Sequence, residues 1–255
     1  LYLLENIINN NNELNKLLEN TIKDIYNYWF LQFDFPNTNG LPYKSNGGEL
    51  VYNKEIKRNI PLDWKVESFF SNSITEIIKP GVDYFTHKNY LATKNINENV
   101  IVDGEWISFD NRENRANMQP KKNTVWFAKM KNSIKHVSVT DSDDWFIEKY
   151  ILSTGFLGLQ CTKNSFSYIR SVIYSDLFEF VKNRISHGNT QEAVNNEDLN
   201  YIALVIPTDE VLEKFAEVVY PIIRNINNNI KVNQELKELQ DFLLPLLMNG
   251  QIIIS

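Results

Sequence analysis

Between Asp110 and Thr140 the chain carries seven basic residues and only two acids, Asp110 and Glu113, a local charge of +5. The basic residues are Arg112, Arg115, Lys121, Lys122, Lys129, Lys131 and Lys135. Asn114, Asn117, Gln119, Asn123 and Asn132 are interleaved with them. This is the chemistry of nucleic-acid contact. Arginine can pair with guanine edges and Asn or Gln with adenine, while lysine more often grips phosphate and sets position. Arg112, Arg115, Asn117, Gln119 and Lys121 are the first candidates for a DNA face, joined by Lys122. Lys129, Lys131, Asn132, Lys135 and His136 are second candidates. An ordinary charged surface loop is the other reading of the same residues. The run 112–123 reads as a solvent-facing loop, and 126–136 as a strand and turn beside it, with Trp126 and Phe127 partly in the core.

Other chemistries find little support. His87, His136 and His187 stand far apart, and none falls in a metal-binding spacing. No glycine-rich phosphate loop is present, and the Gly155 and Gly158 region reads as a tight turn beside a strand. There is no nucleophile elbow, and Cys161 has no evident histidine partner. Asp141, Asp143 and Asp144 could hold a cation, but such a cluster is more often a solvated turn. Residues 186–194 read as fold architecture, with Gly188 and Asn189 in a turn and Thr190 either capping a helix or beginning a short polar element. No catalytic residue, metal or cofactor is expected.

The elements that must position these groups can be read from periodicity. The chain has 255 residues, 43% of them hydrophobic, and a formal net charge of −6. That composition supports a real core and argues against a general polyanion binder, though a local patch is unaffected. One cysteine excludes an internal disulfide and reads as intracellular, hence cytoplasmic. No apolar run is long enough for a membrane span. The chain opens at Leu1 inside what already reads as a helix, which suggests residues upstream.

Ile7, Leu14, Leu18, Ile22, Ile25 and Trp29 recur at helical spacing, predicting a rod of about 45 Å. Pro36, Gly40, Pro42, Gly47 and Gly48 then mark a connector with turn chemistry, pinned by Phe33, Phe35 and Tyr43. Short Val-, Ile- and aromatic-rich runs from Pro61 onward predict strands. Residues 143–154 could be turn, short helix or strand. Residues 166–185 predict one or two helices, and 198–207 a last strand. From Asp209 to Asn249 a second seam runs through Leu212, Phe215, Val219, Ile222, Ile226, Ile230, Leu236, Leu239, Leu243 and Leu246. Its length would be about 60 Å. Asn233 sits in that seam, where a polar residue can fix register. Pro221 and Pro245 should start, kink or bend its segments, and Gly250 should stop it.

The fold class is therefore α+β: one globular domain flanked by two long helices. The boundaries are 1–35 for the first helix, 36–60 for the connector, 61–207 for the domain, and 208–255 for the second helix and terminus. Neither apolar helix face can stay in water, so the two should pack antiparallel as a coiled coil. The helix-packing candidates are Ile7, Leu14, Leu18, Ile22, Ile25, Val219, Ile226, Ile230, Leu236, Leu239 and Leu243. Two surface helices of one compact protein is the plainer alternative.

Three stretches carry a resemblance to a known family. They are YNYWFLQFDFPNTNGLPYKSNGGELVYNKEIKRNIPLDWKV (26–66), ISHGNTQEAVNNEDLNYIALVIPTDEVLEKFAEVV (185–219) and LKELQDFLLPLLMNGQI (236–252). In order and content they resemble the specificity subunits of type I restriction-modification systems. The resemblance implies a non-catalytic protein whose target recognition domain reads half of a split site in double-stranded DNA. It implies helical spacers that bind methyltransferase (modification) subunits, with restriction subunits joining the assembled complex. Adenine methylation and cleavage would belong to those partners. A full subunit has two recognition domains, and this chain holds one. It resembles the C-terminal half of such a subunit or a short half-subunit, which could pair as a homodimer. The family's base-reading loops vary, so the resemblance assigns no DNA-contacting residue. A coiled-coil structural or interaction protein without DNA specificity is the alternative function, and a nuclease or solitary methyltransferase a further one.

Overall fold

The computed structural model describes residues 1–188 and 192–249. In chain order the elements begin with α1 (Tyr2–Tyr26), which closes through a π-helical turn, Asn27–Leu31. The wider turn swings Trp29 and Phe30 into the core. Phe33 follows in the left-handed region (φ 65°), and Phe35 stacks on Tyr43 and Trp64 at 4.6 and 5.2 Å. These aromatics fix the path of the connector. Within it β1 (Leu50–Asn53) and β2 (Arg58–Pro61) form a hairpin that the turn-rich sequence does not announce.

Short strands follow: β3 (Lys65–Ser68), β4 (Thr75–Ile77), β5 (Lys88–Leu91), β6 (Ile96–Asn97), β7 (Val100–Ile101), β8 (Glu105–Ile107), β9 (Ala116–Met118), β10 (Thr124–Ala128) and β11 (His136–Val139). Then come α2 (Asp144–Lys149), β12 (Tyr150–Ser153), β13 (Phe156–Cys161), α3 (Lys163–Ile173), α4 (Asp176–Ile185), β14 (Ala203–Ile206) and α5 (Asp209–Met248). Residues 144–153 are thus helix and then strand, and 166–185 split into two helices. The split falls where the Ser175 hydroxyl accepts from the Phe178 N–H and caps α4.

Two four-stranded sheets build the domain. One has the order β11-β10-β13-β4, all antiparallel; the other has the order β8-β5-β12-β9, with β5 and β12 parallel. β10 is buried along its whole length because both faces are covered. Val125 and Phe127 face the α3 and α5 side of the core, with Leu157, Leu159, Phe166 and Ile169. Trp126 and Ala128 face the second sheet, with Leu91, Met118, Tyr150 and Leu152. A strand covered on both sides reads as a continuous apolar run rather than an alternating one. That explains why Trp126 and Phe127 are completely buried, more deeply than their sequence pattern predicts.

The fold is α+β, with α1 and α5 packed antiparallel beside the domain. α5 is a single 40-residue helix that contains both Pro221 and Pro245 without breaking. The seam between the helices differs from the predicted one in two ways. Ile7 and Leu14 are 44% and 46% exposed, and the inward face of α1 is Ile8, Asn15, Ile22 and Tyr26. The middle of the seam is polar. Asn11 donates to Asn233 (2.8 Å), Asn233 to Asn12 (2.9 Å), and Asn229 to Asn15 (2.8 Å). These amides turn inward because each finds a partner there, which rotates Ile7 and Leu14 outward. Ile22, Val219 and Ile226 are buried, Leu18, Ile25, Ile230, Leu236 and Leu243 are half-buried, and Leu239 is exposed. The readings of Asn189 in a turn, Thr190 as a cap or the start of a polar element, and Gly250 as a stop lie outside the described residues.

Candidate nucleic-acid interface

The basic segment does not form one surface. The turn Ala92–Asn95, the β12–β13 turn and the β10–β11 hairpin meet at one corner of the domain. Lys129 donates its backbone N–H to Gly155 O (3.0 Å), and Thr154 N–H donates to Arg115 O (2.8 Å). The Lys135 ammonium donates to Thr93 O at 2.6 Å. The Arg115 guanidinium lies over the same turn, close enough that a side chain at Gly155 would touch it at 3.7 Å. Burial, and then the nearby Arg115, hold the Lys129 ammonium below the usual lysine range. Arg115, Lys129 and Lys135 thus form one cationic corner whose like charges favour an anion between them. Arg115 is exposed and makes no ion pair among the described residues.

The hairpin that carries this corner is held from behind by α4. The buried Lys182 ammonium donates to Ala128 O (3.2 Å), Ser133 O (2.9 Å) and the Glu179 carboxylate (2.9 Å). Glu179 also accepts from His136 Nε2 at 3.1 Å. The Asn132 N–H donates to Asn183 Oδ1 (2.8 Å), which supports a residue at φ 56°. A buried lysine normally costs a great deal of solvation, and here three acceptors replace the lost water. Burial lowers the Lys182 pKa against the pull of Glu179. These bonds keep the hairpin from opening as a free loop.

The remaining candidates lie elsewhere. Lys131 is at the hairpin but is paired with Glu192 (2.8 Å). Lys121 and Lys122 sit at the opposite end of β10, with Lys122 bound to Asp144 (2.8 Å). Arg112 lies 3.9 Å over the Phe109 ring and donates to the Phe109 carbonyl, on the far face of the second sheet. Asn117 is half-buried within β9.

Two candidates cannot reach a base edge. Gln119 is buried, and its amide donates to Pro120 O (3.1 Å). His136 is buried against Glu179 and stacks on Tyr174 at 4.5 Å. The solvent-loop reading of 112–123 is corrected for 116–120. There β9 pairs with β12, and Ala116, Met118 and Pro120 are buried. The small and apolar residues within that basic run were the available signal. Asp143 is also buried, accepting from Thr140 and Asn227 as a structural turn. No cluster of three metal-ligating side chains occurs among the described residues.

This geometry defines a class, an α+β domain with a cationic corner carried on an antiparallel pair of long helices. No family model matches the chain. It is 25% identical, over 284 aligned positions, to the type I restriction enzyme MjaIX specificity subunit of Methanocaldococcus jannaschii. The alignment covers 98% of this chain and 56% of that protein, so the chain spans little more than half of its relative's length. Along nearly its whole length the chain is thus similar in sequence to a type I specificity subunit.

Two solved structures also share features with it. The crystal structure of the HsdS subunit from Thermoanaerobacter tengcongensis is 16% identical over 73% of this chain and 48% of that one, with a TM-score of 0.49. The S subunit of a type I restriction-modification system from M. genitalium is 12% identical over 95% of this chain and 57% of that one, with a TM-score of 0.47.

Proposed function

We propose that this chain supplies one target recognition domain and its two helical spacers to a type I specificity subunit. In this reading the domain binds half of a bipartite site in double-stranded DNA, through the corner of Arg115, Lys129 and Lys135. The observation that carries the proposal is the likeness to a specificity subunit along helix, domain and helix together. The cationic corner supports it, in a chain whose net charge is otherwise negative.

The chain itself performs no chemistry in this scheme. Phosphate contacts place the domain in a groove, and neighbouring polar groups then test base edges. The helix pair holds the domain at a fixed distance from a second recognition domain and presents surface to an adenine methyltransferase. That enzyme must take its target base out of the stack before it reacts. Restriction subunits would join the assembled complex. A second copy of this chain could provide the other domain, in which case the two half-sites would be symmetric.

The test is single-molecule sequencing of methylation in DNA exposed to the cognate methyltransferase, with and without this chain. A split motif that appears only with the chain is the expected result. An active methyltransferase in a confirmed complex that gives no chain-dependent motif would overturn the proposal.

A further inference from the structure

The domain is attached to the two helices in different ways. α5 holds it through a long apolar contact. Phe215, Val219, Ile223 and Ile226 are buried there, and Phe166 meets Tyr220 edge-on at 5.5 Å. Further along α5, Gln234 donates to Ile101 O (3.0 Å) and Glu238 pairs with Lys149. α1 touches the domain at fewer places. One is its C-terminal end, where Tyr26 and Phe30 meet Tyr168 at 6.3 and 4.6 Å. The others are Glu19, two helical turns earlier, and between them Lys23, whose ammonium pairs at the surface with Asp176 of α4 (2.6 Å).

Glu19 accepts from both terminal nitrogens of Arg170, Nη1 at 3.0 Å and Nη2 at 2.5 Å. It also accepts from Asn99 Nδ2 at 3.2 Å. Arg170 lies on α3 with 1% exposure; its Nε reaches Ser138 on β11 at 3.3 Å, and its plane lies 4.0 Å over Tyr174. One carboxylate from α1 therefore binds a helix, a loop and, through the guanidinium, a sheet of the domain. A two-point fork fixes direction as well as distance. N-terminal to Glu19, α1 turns to α5, where the Asn11, Asn12 and Asn15 amides meet Asn229 and Asn233. That amide ladder sets the register of the helices but does not hold the domain. Without the Glu19 fork, α1 could pivot about Tyr26 while the domain stayed on α5.

We propose that Glu19 is a positioning residue: through Arg170 and Asn99 it fixes the angle between domain and coil, and so the gap between half-sites. This rests on the proposed DNA-recognition function. The ionic fork suits the task because, among the described residues, Glu19 is the one carboxylate paired with the buried Arg170 guanidinium, and a buried charge that loses its partner is strongly destabilising.

Two measurements test it. In the first, spin labels are placed at exposed Asn10 on α1 and exposed Glu148 on α2, as Asn10→Cys and Glu148→Cys. Cys161 is buried and stays unlabelled. The parent should give one narrow distance, and Glu19→Gln a broadened or split one. In the second, the methylated motif is sequenced with the methyltransferase complex. Glu19→Gln should keep the half-site but lose about tenfold of its preference for the parental gap, with gaps one base pair longer or shorter now accepted. Asn99→Ala, which spares the buried ion pair, should shift both readouts in the same direction by less. Lys23→Ala removes an exposed ion pair with Asp176, between α1 and α4, and should change neither. A folded Glu19→Gln protein with the parental distance would overturn the proposal, and so would the parental gap preference. A parent chain that yields no motif would refute the proposed function, while the distance measurement would still decide the clamp.

Discussion

Asn233 of α5 is clasped by two neighbouring side chains of α1, accepting from Asn11 Nδ2 at 2.8 Å and donating to Asn12 Oδ1 at 2.9 Å. All three amides need the same alignment of the helices. A slide by one turn would break both of these pairings in a seam where Asn233 is buried. An apolar seam alone would tolerate several registers, and a buried amide selects one.

Replacing Asn233 with alanine should therefore cost more than one ordinary hydrogen bond, because Asn11 and Asn12 lose partners at a half-buried site. The expected loss is about 1–3 kcal/mol. Urea unfolding monitored by circular dichroism would show it as a lower midpoint with an unchanged slope. An unchanged midpoint would mean that water satisfies the two α1 amides and that the ladder does not stabilise the register.

Gly158 pairs across the sheet with Trp126, and a side-chain carbon at Gly158 would stand 2.3 Å from the indole ring. The ring is completely buried between the two sheets and has no room to retreat. Gly158→Ala should destabilise the domain by about 1–3 kcal/mol or more, as overpacking does in a close-packed core. The readout is the melting temperature together with the tryptophan fluorescence of the chain, compared with and without Gly158→Ala, which should shift to the red if the Trp126 ring is forced toward solvent. A variant with the parental melting temperature would show that the strands can separate locally without cost.

Much of this architecture was legible because periodicity reports burial. The single α5 helix, the α3 and α4 pair and the strands β10, β11 and β13 all follow from runs whose period matches their exposure. The first seam was misread because apolar residues alone were counted. Ile7 and Leu14 have helical spacing, but the asparagines beside them have partners on α5, and pairing can outweigh hydrophobicity at a helix interface. The β1–β2 hairpin and β9 were hidden by their polar and turn-forming neighbours. The candidate interface was legible only as a charged stretch. Which of its members share a corner depends on pairings distant in sequence, such as Lys135 with Thr93 and Lys129 with Gly155. His136 and Gln119 have the chemistry of base readers, but sequence could not say that Glu179 and the Pro120 carbonyl had already engaged them.

His136 gives the protein a defined acid sensitivity. Burial, opposed by the Glu179 carboxylate, lowers its pKa below the ordinary histidine value. The folded state therefore prefers the neutral ring, with Nε2–H donating to Glu179. The unfolded chain takes up a proton near pH 6.5 and the folded one only at lower pH. The stabilising effect is complete above about pH 6.5 and is lost as pH falls from there toward the folded value. Unfolding midpoints measured from pH 7.5 to 5 should decline, and His136→Gln should flatten that decline while lowering stability at pH 7.5. An equal slope in both proteins would assign the acid sensitivity to other groups.

Arg115 and Lys131 separate two kinds of cation at the candidate interface. Arg115 is exposed without an ion pair among the described residues, whereas Lys131 is already bound to Glu192. If the corner grips phosphate, Arg115→Ala should weaken binding to cognate and scrambled duplexes alike. It should also lower the slope of log affinity against log salt by about 1, the signature of one lost phosphate contact. Lys131→Gln should give the same change only if DNA displaces Glu192. In that case Glu192→Gln should tighten binding to both duplexes by freeing the lysine. Fluorescence anisotropy over a salt series with the methyltransferase complex measures all three variants. A loss confined to cognate DNA in Arg115→Ala would move that residue from the phosphate backbone to a base edge. An unchanged slope in every variant would remove this corner from the DNA face altogether.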